Sequence, residues 1–250
     1  MQIAGVLWER TTGAARRPRV RFGRDLPTAP STRRVVIAAA ALVGVWGGST
    51  LLRVAHLPPG PIDRAWDAVV MRASGRVSRG VAEGMAVVGS GPSGTALVVA
   101  AGALIGATRG WFWGASVGVT SIVSVLDRAG LKALAQRARP DDAYGVLDAF
   151  PSGHTTFAAL LGTVVILFER RTAVRGAAIG FIAAMAWSRT QLRAHWLTDV
   201  LGAVVLGSAE AVLLLAAAHR LRESSSRWRD AAPAAREAAR RLPARGPRGG

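Results

Sequence analysis

The hydrophobic positions of the 250-residue chain gather into six blocks that are uncharged or nearly so, and charged residues border them. A membrane-spanning helix needs about 20 apolar residues, with a range of about 17–25. The blocks cover residues 35–52, 92–108, 111–126, 155–168, 177–188 and 200–218. The fourth and fifth are short enough to be buried helices of a soluble protein. Six such blocks together predict an all-α integral membrane bundle of six transmembrane helices.

Two details refine the predicted spans. The second helix is expected to begin as early as Glu83, and helical character in the third is expected to continue to about Ala135. Glycines four residues apart predict close helix approach, and they occur in these two spans as the pairs Gly102/Gly106 and Gly114/Gly118.

The segment from 53 to 79 is charged, but its apolar residues also follow a regular pattern. Apolar residues recur at helical spacing, at Ile62, Ala65, Trp66, Val69, Val70 and Ala73. Five arginines and two aspartates lie among them. This pattern predicts an amphipathic helix lying on the outer membrane interface.

Composition first suggests a different class of protein. There are 32 Lys and Arg residues against 15 Asp and Glu, for a formal net charge of +17, and such basic chains are often nucleic-acid binders. Yet half of the residues are hydrophobic and the mean hydropathy is positive, which argues against a soluble binder of this kind. The chain has no cysteine, which excludes disulfides and thiolate chemistry.

Most of the positive charge lies in two terminal segments rich in Arg, Ala and Pro. Residues 1–34 and 219–250 are therefore predicted to be basic cytoplasmic tails, the second one disordered, on either side of a membrane domain at 35–218. Six spans place both termini on one side, and positive flanks stay in the cytoplasm. The expected location is the cell membrane, with multiple passes and both termini inside. Nucleic-acid binding by the tails is the alternative to contact with an anionic membrane surface.

Polar residues cluster at the ends of the later spans that are expected to face outward. His195 and Asp199 are four residues apart and share a helix face. A carboxylate there can accept the Nδ1–H of the imidazole and leave Nε2 free as a nucleophile or base. The alternative is an interfacial histidine beside an acid that favours the helix dipole.

The sequence Pro151-Ser152-Gly153-His154 has the features of a helix start. Ser152 is a good N-cap, and the first-turn amides can bind phosphate. Gly153 allows close backbone approach, and His154 could donate a proton to a leaving oxygen. An ordinary helix cap is the alternative.

Three cations at the same ends could surround a small anion. They are Lys132, Arg139 and Arg189, and arginine supplies a planar fork where lysine supplies a point charge. Each could instead only snorkel to the membrane surface, as we expect for Arg137 and Arg193.

Together the three clusters resemble the type 2 phosphatidic acid phosphatase (PAP2) family of lipid phosphate phosphatases, in its bacterial membrane form. The family motifs are K-x6-R-P, P-S-G-H and S-R-x5-H-x3-D. They match the chain at Lys132, Arg139 and Pro140, at 151–154, and at Ser188, Arg189, His195 and Asp199. All eleven defined positions and all spacings within the motifs agree.

The resemblance implies a role for each motif residue. His195 would attack phosphorus and become phosphohistidine, with Asp199 orienting it. His154 would protonate the leaving group. The phosphoryl oxygens would be held by Lys132, Arg139, Ser152, Gly153 and Arg189. The resemblance also implies that the reaction needs neither a metal nor another cofactor.

The predicted function is a metal-independent membrane phosphatase with its active site at the outer membrane face. The expected partners are membrane lipids and a substrate that is a lipid phosphate or prenyl diphosphate, such as undecaprenyl diphosphate or phosphatidic acid. Nucleic acid is not an expected partner. Two alternatives belong to other classes: a catalytically silent scaffold or transporter with the PAP2 fold, and a membrane-tethered nucleic-acid binder. The motifs do not specify the lipid or the oligomeric state.

Overall fold

The computed structural model describes residues 27–241, with side chains for 27–225, and this part of the chain is all-helical. A 3-10 turn at Asp142–Tyr144 lies in the loop between the fifth and sixth helices. The helices in chain order are α1 (Thr32–Val54), α2 (Pro61–Ala73), α3 (Arg76–Val88), α4 (Gly91–Arg109), α5 (Trp111–Ala135), α6 (Gly153–Phe168), α7 (Thr172–Gln191) and α8 (Leu197–Arg241).

Each of the six apolar blocks lies within one helix, in α1 and in α4 to α8. In the described part of the chain, three stretches are long and apolar enough to cross a membrane, namely α1, α4 and Leu197–Ser225 of α8. Helix α6 is apolar but shorter. Large apolar side chains such as Val43, Leu104 and Ile122 are exposed, as contact with lipid requires. The all-α class is confirmed, and the count of six spans stays a prediction.

Helix α6 lies at the centre of the bundle, between α7 and α8, while α4 packs on α5 and α1 packs on α8. The contact between α6 and α8 is close enough to require glycine at position 207. A β-carbon there would lie 2.8 Å from the amide nitrogen of Leu160, well inside van der Waals contact. This close approach brings the start of α8 beside the start of α6.

The paired glycines explain the contact between α4 and α5 only in part. Gly102 and Gly106 do face Gly114, where a β-carbon would lie 2.9 Å from the Cα of Gly106. Gly118 has no neighbour within 4 Å of its β-carbon position. It lines a cavity instead of a helix contact.

The prediction of one amphipathic helix over 53–79 is wrong in its bounds, and its place on the outer membrane interface stays a prediction. Two helices, α2 and α3, occupy this region, and the chain turns at Gly89 and Ser90, so α4 begins at Gly91 and not near Glu83. In α2 the buried residues are Asp63 and Val70, whereas Ile62 and Val69 are exposed. The aspartates turn inward because arginines of the bundle pair with them.

The ends of four helices meet at one end of the bundle. Backbone hydrogen bonds join Ser152 N to Asp199 O (3.4 Å) and Asp141 N to Arg193 O (3.2 Å). The loop after α5, the start of α6, the end of α7 and the start of α8 therefore form one surface. At its other end α8 continues to Arg241, into the range predicted as a disordered tail. Residues 1–26 of the first predicted tail and 242–250 of the second lie outside the described residues.

Candidate active site

The structure brings all three motifs together around one cavity of about 710 Å³. Its polar end contains six of the eight predicted site residues: Lys132, Arg139, Gly153, His154, Arg189 and His195 line it together with Arg128. Ser152 and Asp199 are buried beside this end rather than lining it. The spacing in sequence therefore identified a real cluster in space.

The cations of the site differ in how their donors are used. Lys132 Nζ and Arg139 Nε both contact the carboxylate of Asp148, at 3.2 and 2.8 Å. Arg189 is only 5% exposed, and its Nε and Nη1 atoms have no hydrogen-bond partner within the described part of the chain. Buried guanidinium donors without partners cost free energy, so this side chain is poised to receive an anion.

The start of α6 contributes backbone groups, more than side chains, to the candidate site. Ser152 precedes the helix as expected, but its hydroxyl makes no capping hydrogen bond and is buried without a partner among the described residues. At Gly153 a β-carbon would lie 2.9 Å from Nη1 of Arg128, which donates to the Gly153 carbonyl. The N-terminal amides of this helix therefore lie beside a buried hydroxyl and an arginine.

His195 is 4% exposed, and its Nδ1 lies 2.6 Å from the carbonyl oxygen of Ala149. A carbonyl only accepts, so Nδ1 carries the proton and Nε2 keeps its lone pair. Burial and the nearby charges of Lys132 and Arg139 hold the pKa of His195 well below its ordinary 6.5. The imidazole is therefore neutral at pH 7, as a nucleophile must be.

Asp199 does not make the contact with His195 that the sequence suggested. Its Oδ2 lies 4.0 Å from Nδ1 of His195 and instead accepts from the amide of Trp196 at 2.7 Å. Its Oδ1 accepts from Arg137. The carboxylate thus holds the turn that carries His195, while the Ala149 carbonyl sets the tautomer.

The position of His154 is fixed by contacts with α3 and with the turn that follows it. Its Nε2 lies 3.1 Å from the carbonyl of Ala86 near the end of α3, which leaves Nδ1 for other contacts. Gly89, in the turn after α3, approaches the ring so closely that a β-carbon would lie 2.8 Å from Cδ2. The turn between α3 and α4 therefore fixes where this histidine stands.

Sequence reasoning missed a buried network behind the site. Arg137 bridges Asp63 on α2, at 2.6 Å, and Asp199 on α8. Asp63 also accepts from the amide and hydroxyl of Thr198, both at 2.9 Å. Burial raises the pKa of Asp63, but the hydrogen bonds from Thr198 and Arg137 outweigh it and hold that pKa below 3.8.

Arg193 likewise forms an ion pair, with Asp67 at 2.9 Å. Both Arg137 and Arg193 therefore pair with aspartates of α2, and the prediction that they only snorkel to the membrane surface is wrong.

Arg128 and Asp148 were also missed. Arg128 lies one helical turn before Lys132 on α5, so spacing of four residues could have identified it. Asp148 lies in an irregular loop with no motif around it. Burial raises the pKa of Asp148, but Arg139 and Lys132 outweigh this and lower it to about 2.

The cavity has a second, apolar part. From the cationic end it runs between α4, α5 and α6, where its walls are formed by Gly94, Val98, Val99, Gly118, Ile122, Val125, Phe157 and Leu160. Gly118 precedes Lys132 by 14 residues on the same helix, which corresponds to about 21 Å along the axis. Val99 and Ile122 are exposed, so this part opens on the lipid-facing surface. We call it the apolar groove.

Within the described residues, no three His, Asp or Glu side chains gather as a potential metal site. The fold and the site together define a helical membrane protein with a cationic, histidine-containing pocket at one end of the bundle.

Comparison with known proteins supports the family resemblance. Residues 109–223, which contain all three motifs, match the model of the PAP2 superfamily. The structure is also similar to a crystal structure described as the first transmembrane PAP2 type phosphatidylglycerolphosphate phosphatase from Bacillus subtilis. The TM-score is 0.57 at 25% identity, and the match covers 70% of this chain and 94% of that chain. No curated protein sequence matches the chain. The resemblance to the PAP2 family that the motifs predicted is confirmed over residues 109–223, and the structural similarity agrees with it.

Proposed function

We propose that the protein is a metal-independent membrane phosphatase that removes a terminal phosphate from a lipid phosphate or prenyl diphosphate. The observation that carries this proposal is the shape of the cavity, in which a cationic, histidine-containing end continues into the apolar groove. A substrate with an anionic head and a long apolar chain fits both parts. The phosphatase described for the structural relative from Bacillus subtilis gives independent support for phosphate chemistry.

The chemistry begins at the neutral His195. Its Nε2 lone pair attacks phosphorus, and the bond from phosphorus to the leaving oxygen breaks. His154 gives a proton to that oxygen. Burial and the charge of Arg189 lower the pKa of His154 to about 4 in the free site, so the bound phosphate dianion must raise this pKa for the ring to be protonated. Water then attacks the phosphohistidine, the P–N bond breaks, and His154 takes up the proton that the water loses.

Charge stabilisation comes from the residues around these histidines. Lys132, Arg139 and Arg189 face the phosphoryl oxygens, and the first-turn amides of α6 add neutral donors. Phosphoryl transfer depends mostly on positioning and on stabilising charge, which three cations and a helix start can supply. Asp199 acts through the turn at 194–199 by keeping the nucleophile in place.

The direct test is phosphate release by purified protein from a panel of phosphatidic acid, phosphatidylglycerol phosphate and undecaprenyl diphosphate in excess EDTA. We expect turnover of at least one lipid, and strict dependence on added metal would contradict the mechanism. His195→Ala should reduce kcat by roughly four orders of magnitude. His56→Asn, a change at an exposed histidine outside the motifs, is the matched control.

The same experiment separates the other classes of function. A silent scaffold or transporter would bind lipid phosphates without releasing phosphate. A nucleic-acid binder would show its ligand in a binding assay and no response to His195→Ala.

A further inference from the structure

Asp148 places a carboxylate against two of the three motif cations. Its Oδ1 lies 2.8 Å from Nε of Arg139, and its Oδ2 lies 3.2 Å from Nζ of Lys132. Two oxygens on one carbon, each facing a different cation, resemble the arrangement that two phosphoryl oxygens would adopt there. Phosphate and this carboxylate therefore require the same donors.

The carboxylate can leave without unfolding the loop. The next residue is fixed on both sides, because Ala149 N donates to Arg137 O at 2.9 Å and Ala149 O accepts from His195. Lys132 also donates to the backbone carbonyl of Asp148, a contact that does not involve the carboxylate. The Asp148 side chain is 38% exposed, so rotation about its own bonds can move it away from the cations.

We propose that Asp148 is a positioning residue that competes with the substrate, because its carboxylate holds Lys132 and Arg139 until a phosphoryl group displaces it. The proposal rests on the function proposed above. Displacing the carboxylate costs the same free energy for every incoming anion. Every anion therefore binds more weakly at this site than it would bind to the two cations alone.

This competition has a physical use in a membrane. Ordinary phospholipids carry a phosphodiester with a single negative charge, whereas a terminal phosphate carries about −1.5 to −2 at pH 7. Attraction to the same cations scales with that charge, so the cations already favour the terminal phosphate. A cationic pocket beside the bilayer also binds the abundant diesters, and Asp148 lowers the fraction of sites that they occupy.

The test compares Asp148→Asn with the parent protein by calorimetric titration of inorganic phosphate in an uncharged detergent. We expect phosphate to bind about tenfold more tightly to the variant, equivalent to about 1.4 kcal/mol. Asp142→Asn is the matched control, because it removes the same charge from an exposed position of the same loop. The gain should shrink when Arg139→Gln is already present, as expected for residues in contact.

A second measurement tests whether the carboxylate also competes with lipid anions. Hydrolysis of p-nitrophenyl phosphate, at a concentration well below its KM, is followed in mixed micelles with increasing phosphatidylglycerol, and phosphatidylcholine serves as the uncharged reference. Phosphatidylglycerol should inhibit Asp148→Asn at about a tenth of the mole fraction that inhibits the parent protein. Tighter phosphate binding without this inhibition would overturn the competition with lipid anions.

Unchanged or weaker phosphate binding would overturn the proposal as a whole, since Asp148 would then only orient the two cations. Asp148→Ser provides a second replacement, with melting temperatures confirming that both variants fold. Calorimetry needs no turnover. A protein that binds phosphate but does not hydrolyse lipids would therefore contradict the proposed function without affecting the result for Asp148.

Discussion

Among 32 basic residues, the chain has a single lysine, and it lies in the candidate site. The ammonium of Lys132 reaches both the backbone carbonyl and the carboxylate of Asp148, and its side chain is 23% exposed. A guanidinium is larger and planar, so it cannot take the place of a compact point charge there.

Lys132→Arg should therefore lower kcat/KM by about 10- to 100-fold, the range expected for losing one charge-assisted hydrogen bond. The measurement is steady-state hydrolysis of the best lipid substrate. Arg79→Lys, at an exposed ion pair with Glu83, is the control and should have little effect. Near-normal activity of Lys132→Arg would make the lone lysine a coincidence.

The depressed pKa of His195 predicts a pH profile. A histidine whose folded pKa lies well below 6.5 stays neutral, and so nucleophilic, as the pH falls through 6.5. We expect the acid limb of kcat/KM to lie below pH 6.5 once the phosphate ionisation near pKa 6 has been corrected for. The same shift destabilises the fold below pH 6.5, because the unfolded chain then binds a proton that the folded chain does not. An acid limb at or above 6.5 would contradict the neutral His195.

Residues in the site differ in how far the sequence could predict them. The eight motif residues were recognised because their spacing carries a chemical pattern. Asp63 and Asp148 were missed because no local periodicity records the separation from their partners. The partners of Asp63 are 74 and 135 positions away, and those of Asp148 are 9 and 16 positions away. The predicted hydrogen bond between Asp199 and Nδ1 of His195 is wrong, because the backbone carbonyl of Ala149 accepts that proton instead.

At the scale of the helices, α5 connects the two halves of the cavity. Lys132 lies at its polar end, and Gly118 lies in the apolar groove about 21 Å away. That distance is about two thirds of the hydrocarbon thickness of a bilayer. Because Gly118 has open space at its β-carbon position, a larger side chain there would fill the groove rather than disturb helix packing.

Gly118→Leu should reduce kcat/KM for a long-chain lipid phosphate by about tenfold or more, since each methylene that loses its apolar contacts costs about 0.8 kcal/mol. Hydrolysis of p-nitrophenyl phosphate, which has no chain, should be unchanged. Gly180→Leu on α7 is the control, because that position is also open but lies outside the cavity. Equal losses for both substrates in Gly118→Leu would argue against chain binding in the groove.

The helices themselves were largely predictable, since all six apolar blocks are helical. The exception is the region before α4, where the turn at Gly89 and Ser90 divides what looked like one continuous helix. Its cause is tertiary, because that turn packs against His154 and Met185. The burial of Asp63 on α2 was not predicted for a similar reason, since its partners Arg137 and Thr198 are distant in the sequence.

For the molecule as a whole, the network of Asp63, Arg137 and Asp199 ties α2 to α8 and to the loop after α5. Removing one member of a buried ion network leaves an unpaired charge and costs about 3–5 kcal/mol. Exposed pairs contribute about 0–1 kcal/mol. The two aspartates of α2 allow this difference to be measured on one helix.

Asp63→Ala should lower the melting temperature in detergent far more than Asp67→Ala, because Asp63 is buried and Asp67 pairs with Arg193 in a partly exposed position. Thermal unfolding monitored by circular dichroism provides the comparison. Similar shifts for the two variants would show that the network does not stabilise the bundle.

Because the apolar groove opens onto the lipid-facing surface, the substrate concentration that sets the reaction rate is the concentration within the membrane. A substrate that enters from the side arrives by diffusion in the plane of the membrane. Its KM is then a mole fraction of lipid rather than a molarity in water. Diluting such a substrate with neutral lipid, at a constant total amount, would slow its hydrolysis, whereas diluting the whole suspension with buffer would leave the rate per molecule unchanged.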